Sequence, residues 1–112
     1  MALTSTLIGS TNTTVYTSSA ISPVLGNAIT SIMLCNTSNS TTVTVTMFAV
    51  PNSGGSIGSA SSSNMIINSL SIPPTETVSL DQEKLVLSNN DTLVAIASNG
   101  ATVAITISTL AV

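Results

Sequence analysis

The first 75 residues of this 112-residue chain contain no Asp, Glu, Lys, Arg or His. His and Trp are missing throughout, Cys35 is the one cysteine, and the aromatics are Tyr16 and Phe48. Each scarcity closes a class of function. With Lys84 as its one cation, the chain has no basic cluster to neutralise phosphates, which excludes nucleic-acid binding. A Ser, Cys or Thr nucleophile lacks its usual histidine base. A Ser–Lys arrangement would rest on Lys84, which sits beside Glu83 and near Asp81 and reads instead as a surface salt-bridge partner. Zinc fails for want of ligands. Carboxylate pairs drawn from Glu76, Asp81, Glu83 and Asp91 lack the aromatic platforms of a carbohydrate cleft. No catalytic residue and no cofactor are therefore expected.

One cysteine forbids an internal disulfide, and within Ile32-Met33-Leu34-Cys35 it reads as a small buried hydrophobe. No apolar run reaches the roughly 18 residues that cross a bilayer. The opening Met1-Ala2-Leu3-Thr4-Ser5 lacks the basic start and long apolar segment of a secretion signal. Four N-x-S/T sequons (Asn12, Asn36, Asn39, Asn90) are expected by chance, given 20 Ser and 18 Thr.

Those hydroxyl residues stand where charge would normally be. All five charged side chains (Glu76, Asp81, Glu83, Lys84, Asp91) fall between positions 76 and 91. A neutral Ser/Thr surface resists association weakly, which points to a subunit embedded in an assembly. Calcium is the one metal this chemistry suits, with Asp81, Glu83 and Asp91 as candidate ligands. The competing reading of the Asn/Asp-rich stretch is turn chemistry, and Glu76, after Pro73-Pro74-Thr75, likewise reads as a solvated turn residue. Charges at a rim would also discourage edge-to-edge pairing of strands.

Val, Ile and Thr are abundant while Glu, Lys, Arg and Gln are nearly absent, which favours strands over helices. Alternation places Val43, Val45 and Met47 on one face, and Val103, Ile105 and Ile107 on another. Further strands are expected at Ala2–Ile8, Thr14–Ser18, Ala28–Asn36, Met65–Ile72, Thr77–Leu80, Lys84–Leu87 and Thr92–Ser98. Asn99-Gly100 is a two-residue hairpin signal that would pair Thr92–Ser98 with Ala101–Leu110. Residues 52–64, rich in Ser and Gly, read as a flexible loop. Together these give an all-β, single-domain antiparallel β-sandwich of about eight strands spanning 1–112, with jelly-roll wiring as one option.

The order Val15-Tyr16-Thr17-Ser18, Ala28 through Ser38, Phe48-Ala49-Val50-Pro51, a Gly/Ser loop, Ile66 through Pro73, Glu76-Thr77, Glu83 through Ala95 and a closing Val103–Leu110 strand resembles small virion structural proteins of tailed phages. The resemblance is particularly to those of marine cyanophages. The resemblance covers nearly the whole chain, and its motifs mark strands and turns. It implies a head decoration (cement) subunit, with a tail, neck, baseplate or fibre subunit as the alternative; a receptor- or glycan-binding module is a third reading, from a different class. With the neutral Ser/Thr surface, which can pack closely against neighbours, the expected state is a homo-oligomer, a trimer first, docked on the major capsid protein or on tail proteins. Such a protein is assembled in the host cytoplasm and resides in the virion, with no membrane partner. The charged window is then expected to be a solvated rim or a separate docking edge, and subunit contacts to use the neutral remainder.

Overall fold

Alternation of aliphatic with hydroxyl residues is what a strand with one buried face requires. The computed structural model describes residues 2–19, 26–80, 85–100 and 102–112. Its strands are β1 (Ala2–Ile8), β2 (Thr13–Thr17), β3 (Asn27–Asn36), β4 (Val43–Val50), β5 (Met65–Ile72), β6 (Thr77–Leu80), β7 (Leu85–Leu87), β8 (Thr92–Ala97) and β9 (Val103–Ala111). A 3-10 turn at Ser62–Asn64 leads into β5.

Every pairing is antiparallel. Sheet A has the order β1-β9-β3-β6, with β7 also on β3, and sheet B has the order β2-β8-β4-β5. The partners nest: β1 with β9, β2 with β8, β3 with β6 and β7, β4 with β5. The chain is thus one long hairpin, hinged beyond β4 and rolled so that successive pairs fall in opposite sheets. That is jelly-roll wiring within the expected antiparallel sandwich.

The core between the sheets is aliphatic, as two aromatics in the chain require. Val43, Val45 and Met47 of β4, Val103, Ile105 and Ile107 of β9, Ile32 and Leu34 of β3, and Leu93 of β8 are all buried in it. Phe48 points the other way. With Val50 and Val94 it forms a second cluster on the outer face of sheet B, where Ala60 and Met65 pack against it. The 51–64 segment therefore covers that face. It is held there by more than the apolar contact: Ser53 and Ser56 bridge, Gly54 and Gly55 turn at positive φ, and Asn90 Nδ2 donates to Gly55 O at 2.8 Å.

Two expectations are corrected. The strands flanking Asn99-Gly100 do not pair with each other: β8 lies in sheet B between β2 and β4, and β9 in sheet A between β1 and β3. Neither has a free edge for the other. The connecting corner is bonded to its separate neighbours, with Ala97 N–H donating to Gly9 O, Ser98 N–H to Thr44 O and Thr37 N–H to Thr102 O. Cys35 is half-buried rather than in the core. Ile32 and Leu34 take the inward positions of β3, so strand alternation turns Met33 and Cys35 outward. The remaining strands lie within about two residues of expectation. Lys84, expected to open β7, lies outside the described residues.

Candidate interaction surface

The charged window does not gather into a described site. Glu76 is exposed and contributes its backbone, its carbonyl accepting from Asn36 N–H at 2.9 Å. Asp91 is clamped: Oδ1 accepts from the Asn52 N–H (2.7 Å) and Nδ2 (2.9 Å), and Oδ2 from the Ser88 N–H (2.8 Å). Asn90 beside it adopts φ 65°. This is the turn chemistry that the Asn/Asp stretch suggested, and it ties the start of the 51–64 segment to the β7–β8 turn. Asp81 and Glu83, the other candidate calcium ligands, lie outside the described residues with Gln82 and Lys84. Among the described residues no three His, Cys, Asp or Glu side chains come together.

Near the free edges of β5, β6 and β7, a cavity of about 400 Å³ is lined by Ile32, Ile66, Ile67, Leu80 and Leu85. None of these side chains titrates or donates a hydrogen bond. The aromatics offer no stacking platform either: Phe48 is buried under the 51–64 segment, and Tyr16 packs half-buried against the core.

The most distinctive surface is the outer face of sheet A. Strand registers line up its outward side chains in rows: Leu7, Ala104, Cys35 and Thr77; then Ser5, Thr106, Met33 and Ser79; then Leu3 with Ser108; then Leu110, Ala28 and Val86. No strand of this sheet carries a charged residue. Leu3 is 74% exposed, Val86 69%, and Leu7, Met33 and Leu110 are exposed as well. Scattered exposed apolar residues are ordinary on a protein surface, but several sharing one uncharged sheet face make it the candidate interaction surface. The contrast with sheet B is sharp, because there the chain covers the apolar outer side chains with its own loop. These leucines, Met33 and Val86 were not singled out from the sequence. Strict alternation applied to β3 and β9 together would have found Met33 and Leu110, but the pairing of β1 and β7 into the same sheet is a tertiary fact.

Fold and face together define a jelly-roll sandwich in which, among the described residues, the strands of one sheet carry no charge and its outer face has no covering loop. No family model matches the chain, and no curated protein is significantly similar to it. Among solved structures, a chain from work titled "Bacillus endospore appendages form a novel family of disulfide-linked pili" is similar over 99% of this chain and 84% of its own length, with a TM-score of 0.49 and 16% identity. A likeness at that level carries no inference about function or assembly.

Proposed function

We propose that this chain is a non-enzymatic structural subunit that packs against neighbouring subunits through the outer face of sheet A. The carrying observation is that face: uncharged, studded with Leu3, Leu7, Met33, Val86 and Leu110, and left uncovered. Burying it removes apolar area from water at a gain of roughly 25 cal/mol per Å². No ion has to be desolvated, and the Ala, Ser and Thr between the larger side chains lose little rotamer entropy.

The finer reading follows the resemblance to small virion proteins: a homo-oligomer, trimeric in the expected arrangement, that cements the head of a tailed phage by docking on its major capsid protein. It is assembled in the host cytoplasm and carried in the virion. Jelly rolls serve both capsid and lectin roles, so the wiring does not choose between them. The positions of Phe48 and Tyr16 favour the first, since neither offers a sugar a flat ring. Fitting the chain into the density of an intact particle tests this reading. A copy number on the order of hundreds supports the head, and about a dozen or fewer moves the subunit to the tail, neck or baseplate. Met33→Asp with Val86→Asp should abolish incorporation of an otherwise folded protein. Unchanged incorporation would overturn the packing face.

A further inference from the structure

The four sheet edges are not alike. β2 is five residues long and its register shifts between Thr14 and Tyr16. β5 shifts twice and carries Ser69 at φ 56°. The edge opposite β1 is split between β6 and β7, of four and three residues. Bulges and short strands of this kind are how proteins protect sheet edges from other chains. β1 has none of them. It runs seven residues in unbroken register with β9, contains no Pro, Gly or charge, and has no strand on its other side among the described residues.

β1 also stands clear of the sandwich. Ile8 reaches the core, but Ala2 and Thr6 on the same face are exposed and Thr4 is half-buried. On the opposite face Leu3, Ser5 and Leu7 are exposed. Alternate residues of the strand therefore turn their N–H and C=O groups toward an accessible edge.

The sequence of this edge supplies the second observation. Leu3-Thr4-Ser5-Thr6-Leu7 reads the same in both directions. If two copies meet antiparallel about a two-fold axis at Ser5, Leu3 lies opposite Leu7, Thr4 opposite Thr6 and Ser5 opposite itself. A two-fold interface needs such self-complementarity, and Thr–Thr and apolar cross-strand pairs are favourable ones. We infer that β1 pairs antiparallel with β1 of a second copy of this chain, joining two five-stranded sheets through about six to eight backbone hydrogen bonds. Leu3 and Leu7 of both copies then form one cluster on the outer face. The inference deepens the assembly reading above and rests on it. Where three copies also close into a ring, the edge pair links two rings.

The experiment uses Val86→Asp as background, to weaken packing through the face while leaving β1 intact. Thr4 and Thr6 point away from that face, so charges there report on the edge. Expected by light scattering are a dimer for the background and half that mass for added Thr4→Lys/Thr6→Lys, whose lysines oppose each other across the axis. Thr4→Lys/Thr6→Asp, an equal disturbance to the strand, should retain the dimer because it places opposite charges face to face. An equimolar mixture of Thr4→Lys/Thr6→Lys and Thr4→Asp/Thr6→Asp chains should recover it. Circular dichroism confirms folding of each variant. If the Lys/Lys variant keeps the full mass, or the folded Lys/Asp variant loses it, edge pairing is overturned while assembly stands. If the unmodified chain is monomeric at every concentration, both readings fall.

Discussion

Two buried polar side chains show opposite uses of a hydrogen-bonding group. Asn36 is fully buried at the end of β3: Nδ2 donates to Thr41 O at 2.8 Å and Ile72 O at 3.0 Å, and Oδ1 accepts from Ser38 N–H at 3.0 Å. It joins the β3–β4 corner to the end of β5 and satisfies three backbone groups. Asn36→Ala should lower stability by about 3 kcal/mol in chemical denaturation, because it strands those groups in addition to losing the bonds. Thr92 is as deeply buried, yet its Oγ1 has no partner among the described residues. Thr92→Val keeps the shape and removes the unpaired hydroxyl, so the melting temperature should hold or rise, with a gain of up to about 1 kcal/mol. A loss comparable to that of Asn36→Ala would mean the hydroxyl is in use. The sequence distinguished neither case: Asn36 looked like a chance sequon and Thr92 like a strand residue, since partners 36 positions away depend on how the strands roll.

At the scale of elements, strand positions were legible because alternation is a local property of the chain. Which strands pair was not. Asn99-Gly100 favours a tight turn, but β8 and β9 each already lie between two other strands, and the turn serves to change sheets. The 52–64 segment read as a loop from its Ser and Gly. That it covers Phe48, Val50 and Val94 depends on a tether that composition does not reveal, Asp91. Asp91→Ala removes two hydrogen bonds from Asn52 at one end of this segment and one from Ser88 within the adjoining turn. Hydrogen exchange should accelerate through 52–64 and the 88–91 turn while β3 and β9 keep their protection, the behaviour of a local opening. Equal acceleration throughout would show that the clamp holds the whole sandwich rather than the loop.

For the whole molecule, the lack of charge on the strands of sheet A has a consequence in salt. The net charge of −3 comes from residues between positions 76 and 91, and the strands of sheet A carry none. Association through that face and through β1 is driven by apolar burial and backbone hydrogen bonds, neither of which ions screen. Raising NaCl from about 0.05 to about 0.5 M shortens the Debye length from roughly 14 to 4 Å, which weakens exposed charge pairs severely. The dissociation constant of the assembly, measured by sedimentation, should nevertheless change by less than about twofold over that range. Sulfate, which strengthens apolar burial, should tighten it. A tenfold weakening in NaCl would instead assign the contact to Glu76, Asp81, Glu83, Lys84 and Asp91, making the charged window the docking edge and the bare sheet a bystander.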